Sequence, residues 1–333
     1  MKNILVTGGA GYVGSILLRK LLSAGYNVTC VDNLLFGDHS IVDLVDDSNF
    51  TFFNCDINDW KSINDVLTSK QYFSVVHLAA IVGDPACKLN QELATKTNWD
   101  SSVWLLDRAK ELGIPRFIFA STCSNYGKMI DSQSYVDENS SLAPVSLYAE
   151  LKVRFENYML NEEKHLDNFA PTSLRFSTVY GLSPRMRFDL TVNEFTKELV
   201  NGRELTVFGE QFWRPYCHVD DFSNAFLAIL TTSTDKVANN VFNVGDTSQN
   251  YTKQMIVDEI KKLIPDAKIN YVKKDEDPRN YRVNFDKIKH ELGFQITKRV
   301  PDGISEIITS IKEGSFEDTE DQRYYNIPHD NIV

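Results

Sequence analysis

Short apolar runs alternate with segments of helical periodicity through the first half of the chain. Buried strands are predicted for residues 4–6, 28–31, 51–54, 75–78, 117–120 and 172–176. Helices are predicted for residues 14–23, 60–68, 95–112 and 147–161. This alternation predicts an α/β fold, in which a doubly wound parallel sheet is covered by helices on both faces.

The second half of the chain is less regular. Helical segments near residues 192–200, 222–230, 253–263 and 303–311 alternate with short strands near 205–208, 241–244 and 269–272. We assign residues 1–180 to the first domain and expect residues 216–245 to return to it. Residues 181–215 and 246–314 then form a smaller, mixed α/β lobe, and residues 315–333 form a loosely packed acidic tail.

A glycine cluster separates the first predicted strand from the first helix. Residues 7–14 read TGGAGYVG, and the second strand ends at Asp32. Strand, glycine turn, helix, strand and acid are the elements of the dinucleotide-binding Rossmann unit, in which a pyrophosphate lies on the helix N-terminus. Asp32 is placed to accept hydrogen bonds from ribose hydroxyls. Because residues 34–40 contain no Arg or Lys for a 2′-phosphate, the sequence favours NAD over NADP.

Composition and charge narrow the range of partners. The 333-residue chain has a net charge of −11 and no basic stripe, which argues against nucleic-acid binding. Its five cysteines lack CxxC spacing, so we expect reduced thiols, no metal site and a cytoplasmic location. No apolar run is long enough to span a membrane, and the N-terminus does not resemble a signal peptide.

A hydroxyl-rich loop and a Tyr–Lys pair supply candidate chemistry. Residues 121–127 read STCSNYG and follow a predicted strand, and Tyr148 and Lys152 lie four residues apart on one helical face. An ammonium group beside a phenol favours the phenolate, so we expect Lys152 and the positive nicotinamide ring together to lower the pKa of Tyr148, which then acts as a general base near neutral pH.

These motifs together resemble the extended short-chain dehydrogenase/reductase family, specifically its UDP-glucose 4-epimerase-like nucleotide-sugar epimerases and dehydratases. The shared features are TGGxGxxG at residues 7–14, DN at 32–33, DI at 56–57, HLAA at 77–80, an Asn at 98 and YxxxK at 148–152. The resemblance implies that Thr122, Tyr148 and Lys152 are catalytic. It also implies an NAD site formed, besides Tyr148 and Lys152, by Gly8, Gly11, Tyr12, Val13, Gly14, Asp32, Asn33, Asp56, Ile57, Leu78, Ala79, Ala80 and Asn98.

The later segments resemble the same family. Residues 174–181, 205–209 and 211–221 match its LRxxNVYG, base-binding and diphosphate-binding segments, with Thr178 in place of Asn and Pro215 in place of Asp. The resemblance implies a second phosphate arginine near residue 279, with Arg282 as the alternative. The expected substrate residues are Ser124, Asn125, Thr178, Leu190, Phe208, Arg214 and Arg279.

The resemblance implies oxidation of a nucleotide sugar to a transient 4-keto sugar. Family dehydratases carry Asp-Glu directly after the catalytic Thr, whereas this chain has Cys123 and Ser124. We therefore expect an NAD-dependent 4-epimerase of a nucleotide-diphosphate hexose. Residues 183–190 (SPRMRFDL) resemble a subset that acts on GDP-linked heptoses or hexoses, which keeps a 4-dehydrogenase or reductase open. A non-enzymatic, NAD-responsive regulatory protein is a third reading, which the intact catalytic residues disfavour.

The long helices near residues 95–112 and 147–161 carry more apolar residues than one sheet face needs. Those residues are Trp99, Trp104, Phe155 and Tyr158. Family members pair these two helices with their copies, so the resemblance implies a two-fold homodimer.

Overall fold

Twelve strands occur in the part of the chain that the computed structural model describes, namely residues 1–128, 134–161, 169–277 and 279–327. They are β1 (Asn3–Thr7), β2 (Asn27–Asp32), β3 (Phe50–Asn54), β4 (Ser74–His77), β5 (Arg116–Thr122), β6 (Ala170–Phe176), β7 (Thr178–Tyr180), β8 (Leu205–Phe208), β9 (Trp213–His218), β10 (Asn240–Val244), β11 (Asn250–Thr252) and β12 (Ile269–Val272).

Seven of these strands form one parallel sheet, in the order β10-β6-β5-β4-β1-β2-β3. The strand order reverses between β1 and β4, where Val6 lies opposite Cys30 on one side and Val76 on the other. The predicted doubly wound parallel sheet is therefore confirmed. In such sheets ligands bind at the carboxyl ends of the strands, beside this reversal point.

The described helices are α1 (Tyr12–Ser23), α2 (Trp60–Thr68), α3 (Asp84–Leu89), α4 (Gln91–Thr95), α5 (Ser101–Glu111), α6 (Leu147–Met159), α7 (Thr191–Val200), α8 (Val219–Thr231), α9 (Thr234–Val237), α10 (Lys253–Leu263), α11 (Asp286–Leu292) and α12 (Val300–Lys312). The helix expected over residues 95–112 is interrupted, because a π-helical turn at Lys96–Asp100 separates α4 from α5. Within the described residues no helix combines the length and apolar character needed to cross a membrane.

The two faces of the sheet are covered by different helices. Alternate strand residues such as Val6 and Cys30 face α1 and α8, whereas Leu5 and Val31 face α2, α5 and α6. Phe155 of α6 belongs to this second core, where its ring lies 4.6 Å from the ring of Phe119. The expectation that Phe155 is a surplus apolar residue is therefore wrong: it is fully buried beneath its own sheet.

The smaller lobe contains two short sheets, β11-β9-β7 and β12-β8, which pack with α7, α10 and α12. The expected return of residues 216–245 is divided between the two units. β9 joins a sheet of the smaller lobe, whereas α8 packs on α1 and β10 adds to the edge of the main sheet beside β6.

The C-terminal segment, residues 316–327, is packed rather than loose. Tyr324 and Tyr325 are buried, and the N–H of Phe188 donates to the carbonyl of Tyr324 at 2.9 Å. The expectation of a loosely packed tail is wrong for these residues, because their aromatic side chains outweigh the acidic composition that prompted it. Residues 328–333 of the expected tail lie outside the described residues.

Candidate active site

A cleft of about 690 Å³ opens at the carboxyl ends of the main-sheet strands and extends into the smaller lobe. Most of the residues expected to bind cofactor or substrate or to act in catalysis line it together. They are Gly8, Gly11, Tyr12, Val13, Gly14, Asp32, Asn33, Asp56, Ile57, Leu78, Ala79, Ala80, Thr122, Ser124, Tyr148, Lys152, Thr178, Leu190, Arg214 and Arg279.

The glycine turn leaves no room for side chains. Gly8 has φ +75°, and a Cβ there would lie 2.6 Å from the backbone nitrogen of Ala79. A Cβ on Gly14 would lie 2.3 Å from the carbonyl oxygen of Gly8. Gly11 is the N-cap residue of α1 and has no side chain that could accept hydrogen bonds. The first backbone N–H groups of α1 therefore remain available for a ligand. This turn fits a dinucleotide pyrophosphate.

The acid at the end of β2 is held in a fixed orientation. One oxygen of Asp32 accepts from the N–H of Ala10 at 3.0 Å and the other from the N–H of Leu34 at 2.9 Å. Beside it, the amide of Asn33 donates to Asp56 at 2.9 Å. Burial raises the pKa of Asp32. The carboxylate retains free lone pairs toward the cleft, as recognition of ribose hydroxyls requires.

Buried polar residues support the loop after β4. His77 is hydrogen-bonded to Thr7 at 2.8 Å and to Ser102 at 2.9 Å, and burial lowers its pKa to about 3. Asn98 lies in the π-helical turn and does not line the cleft. Its side chain instead accepts from the N–H of Ile81 at 2.8 Å and donates to the carbonyl of Ile81 at 2.9 Å. Asn98 thus positions a wall of the cleft.

The three expected catalytic residues come from two adjacent elements. Thr122 ends β5, and Tyr148 and Lys152 lie on α6, which Ser146 caps by accepting from the N–H of Ala149 at 3.3 Å. The ammonium of Lys152 donates to the carbonyl of Ala120 at 2.7 Å and lies 5.9 Å from the centre of the Tyr148 ring. The three side chains therefore face one volume.

Burial governs the ionisation of Tyr148 and Lys152. Burial raises the pKa of Tyr148, with further contributions from Cys87 and Asp84, and burial lowers the pKa of Lys152 to about 7. Lys152 alone therefore does not lower the Tyr148 pKa, and the lowering expected from Lys152 together with the positive nicotinamide ring stays a prediction. In a buried site the cost of ionising the phenol exceeds the attraction of one lysine, whose own charge the same burial disfavours.

At the far end of the cleft, the two expected phosphate arginines meet at one carboxylate. Asp277 accepts from the guanidinium of Arg214 at 2.7 Å and from the backbone N–H of Arg279 at 2.8 Å. The guanidinium of Arg279 pairs with Asp84 at 3.0 Å, in the loop that follows β4. Two cations from different segments thus converge where an anionic group could bind.

Besides Asn98, three residues singled out from the sequence lie away from the lining. Asn125 is buried and donates to Ser121 at 3.1 Å, and Phe208 is 47% exposed beside Lys274. Arg282, the alternative to Arg279, lies over the rings of Tyr135 and Trp213 instead of lining the cleft.

Several basic residues of the cleft were not predicted from the sequence. Arg185, Arg187 and Lys253 line the cleft, and Arg187 forms a two-pronged pair with Asp189 at 2.9 and 2.7 Å. The closely spaced arginines in SPRMRFDL were the available signal. The positions of Arg185 and Arg187 depend on how residues 182–190 fold back over the start of α1, which the periodicity of the sequence does not reveal.

The charge of Lys152 generates a prediction for stability. Its pKa falls from 10.5 in the unfolded chain to about 7 in the folded protein, so folding is penalised fully below about pH 7 and the penalty fades toward pH 10.5. Replacing Lys152 with Met removes this penalty. We expect the unfolding free energy of Lys152→Met, relative to wild type without ligands, to be higher at about pH 6 than at about pH 9.

Urea unfolding of both proteins at the two pH values provides the measurement. Exposed Lys262→Met is the matched control and should show no such pH dependence. An equal effect of Lys152→Met at both pH values would contradict a buried, readily neutralised Lys152.

Comparison with known proteins agrees with this geometry. The model of the NAD dependent epimerase/dehydratase family matches residues 4–245. Protein CapI of Staphylococcus aureus is 28% identical, over 92% of this chain and 97% of its own. UDP-glucose 4-epimerase of Lactobacillus helveticus is 26% identical, over 78% of this chain and 81% of its own.

Solved structures are similar over nearly the whole length. The Thermotoga maritima UDP-glucose 4-epimerase structure with UDP-glucose has a TM-score of 0.83 at 27% identity, covering 94% of this chain and 100% of the other. The Bacillus cereus UDP-glucuronic acid 4-epimerase complex with UDP-glucuronic acid and NAD has a TM-score of 0.83 at 26% identity, covering 93% and 99%. The predicted family resemblance and NAD cofactor are confirmed: the chain belongs to the NAD-dependent epimerase/dehydratase family and is an NAD-dependent enzyme.

Proposed function

We propose that this protein is a 4-epimerase of a nucleotide-diphosphate sugar and that the nucleotide is UDP. The observation that carries the proposal is the meeting of Thr122, Tyr148 and Lys152 in the same cleft as the glycine turn and Asp32. Relatives with this architecture include the UDP-glucose and UDP-glucuronic acid 4-epimerases described above, which supports UDP as the nucleotide.

In this mechanism Tyr148 removes the proton from the sugar O4 and returns it after the ring has turned. Thr122 positions that oxygen by a hydrogen bond from its hydroxyl. NAD, when bound, supplies a reversible hydride acceptor and, in its oxidised form, an additional positive charge. Burial alone favours the neutral phenol, so the Tyr148 phenolate needs a nearby positive charge to form. The protonated form of Lys152, whose ammonium lies 5.9 Å from the centre of the Tyr148 ring, supplies that charge.

The residues after Thr122 favour epimerisation over water loss. The Cys123 thiol is fully buried, donates to the carbonyl of Arg175 at 3.2 Å and does not line the cleft. Burial raises its pKa well above the usual value, so the thiol stays protonated near neutral pH and cannot act as a base, and its place outside the cleft lining keeps it from donating a proton to the sugar. Ser124 lines the cleft, but a hydroxyl cannot replace a carboxylate in proton transfer at neutral pH.

The free cysteines also support a location for the enzyme. All five cysteines lie in described residues and none forms a disulfide, which is usual for proteins of reducing compartments. We therefore propose a cytoplasmic location.

The first prediction concerns the base. Tyr148→Phe should keep its fold and NAD binding, yet lower 4-epimerase turnover of a UDP-hexose or UDP-hexuronic acid by about 10²–10⁴-fold. Thr122→Ala should lower it less. Product formation is measured by chromatography, with the buried Tyr72→Phe as the matched control away from the cleft. Near-normal turnover of Tyr148→Phe would contradict the mechanism, and stoichiometric release of NADH by wild type would identify a dehydrogenase instead.

The second prediction concerns the diphosphate. Arg214→Ala should raise KM for the nucleotide sugar by about 10- to 100-fold, because a charge-assisted hydrogen bond to phosphate is lost. NADH affinity should change little, because the glycine turn holds the cofactor pyrophosphate. Steady-state kinetics and NADH titration measure the two effects, with Arg108→Ala as a control outside the cleft. The site assignment fails if NADH binding weakens and KM does not change.

We further propose a homodimer formed through α5 and α6. The ring of Trp104 stacks on the 40%-exposed Trp60, with 5.7 Å between the ring centres. The guanidinium of Arg154 lies 3.7 Å from the centre of the Trp99 ring. Tyr158 packs on Trp99 at 5.7 Å. An amphipathic aromatic surface of this kind suits a self-complementary interface.

Light scattering at about 10 µM should therefore give a dimer mass for wild type, because micromolar dissociation constants are typical of weak specific pairs. Trp104→Arg should shift it to monomer, while Tyr271→Arg, which alters an exposed aromatic in the smaller lobe, should remain dimeric. A wild-type monomer would refute this interface.

A further inference from the structure

Arg185 is a buried arginine in the loop between β7 and α7. It is 1% exposed, and its guanidinium lies 4.0 Å over the ring of Phe36. Arg185 and Phe36 both line the cleft, in the part where Asp32 and Gly37 also lie. A cation buried at the wall of a binding cleft requires a compensating negative charge.

The described residues provide no ion-pair partner for this guanidinium. Nη2 donates to the carbonyl of Tyr325 at 3.3 Å, and Nε is buried without a hydrogen-bond partner. The nearby Asp189 is already paired with Arg187, and among the described residues Arg185 forms no salt bridge with Asp32. Burial, followed by repulsion from Arg187, lowers the Arg185 pKa to about 10. The protein thus keeps an unpaired cation where a ligand can reach it.

The loop that carries Arg185 is tied to the start of α1. The hydroxyl of Ser183 donates to the carbonyl of Tyr12 at 2.7 Å and is hydrogen-bonded to Ser15 at 3.0 Å. Asp32 is also close enough for its charge to raise the Arg185 pKa. Arg185 is therefore near both the ribose-binding acid and the start of α1, where the cofactor pyrophosphate is expected.

We propose that Arg185 is a cofactor-binding residue whose guanidinium pairs with the pyrophosphate of the bound dinucleotide. The glycine turn binds this anion through backbone N–H groups and the α1 dipole, neither of which carries a full charge. Arg185 adds a full positive charge and up to two parallel hydrogen bonds.

The C-terminal segment, residues 316–327, holds Arg185 in place. It accepts from Arg185 through the carbonyl of Tyr325 and from the backbone of Phe188 through the carbonyl of Tyr324. Lys197 of α7 anchors it by donating to the Tyr325 hydroxyl at 2.7 Å and to Glu320 at 2.8 Å. Asn326 of the same segment lines the cleft. The segment is thus a positioning element of the cofactor site.

Arg185→Met tests the proposal, because Met retains bulk without charge. In cofactor-free protein the NADH dissociation constant should rise about 10- to 100-fold, and the NADPH constant by the same factor. UDP affinity should stay within about twofold of wild type, because Arg185 is proposed to bind the dinucleotide and not the sugar nucleotide. The unfolding midpoint without NADH should be no lower than that of wild type, because an unpaired buried cation is removed, while the rise in midpoint on adding NADH should shrink.

Two further variants complete the test. Arg185→Lys keeps the charge without the planar fork, and should lose less NADH affinity than Arg185→Met; it carries the test if the Met variant does not fold. Arg203→Met is the matched control, because Arg203 pairs with Glu320 of the same C-terminal segment at 2.6 Å but does not line the cleft.

The contradicting results are distinct from a failure of the epimerase assignment, since none requires turnover. An NADH affinity within about threefold of wild type together with a lower midpoint would make Arg185 a purely structural residue. If only the affinity for UDP falls, Arg185 binds a phosphate of the sugar nucleotide. If only the affinity for NADPH falls, Arg185 binds a 2′-phosphate. Each of these outcomes overturns the proposal.

Discussion

Close backbone contact at the reversal point of the sheet underlies the rest of the site. The turn after β1 packs against the loop after β4 so tightly that a Cβ on Gly8 would lie 2.6 Å from the backbone of Ala79. A side chain at Gly8 would push the turn away from that loop, and a side chain at Gly14 would push the start of α1 away from the turn. The approach places the N-terminus of α1, the carboxylate of Asp32 and the ends of β4 and β5 around one volume, which the smaller lobe then covers.

A protein with a net negative charge repels phosphorylated ligands over most of its surface. It must therefore concentrate positive side chains where those ligands bind. The net charge is −11, yet basic side chains from five segments line the cleft. Arg187, Arg214 and Arg279 are each paired with a carboxylate, which limits the cost of burying or ordering them. Arg185 lacks such a pair. The other three arginines would have to exchange a carboxylate for a ligand phosphate, whereas Arg185 can bind a phosphate without breaking an existing ion pair.

The sequence was sufficient for the features that depend on local pattern and short motifs. The parallel sheet follows from alternating strands and helices, and Asp32 follows from its position at the end of β2. Features that depend on long-range packing could not be read in this way. Phe155 became a core residue because α6 turns it toward Phe119, and the tail packs because Phe188 offers it a surface. The raised pKa of Tyr148 likewise reflects burial that only the assembled lobes create.

The central claim is that one cleft oxidises and re-reduces the same sugar carbon without releasing the intermediate. Incubating the enzyme in H₂O with a UDP-sugar deuterated at C4, and in parallel in D₂O with the unlabelled UDP-sugar, tests this claim directly when both epimers are followed by NMR and mass spectrometry. The product epimer formed in H₂O should retain the substrate's deuterium at C4, because the hydride returns to the carbon it left. The product formed from unlabelled substrate in D₂O should gain no solvent deuterium at C4. Loss of the label to solvent, or incorporation of solvent deuterium at C4, would contradict the account.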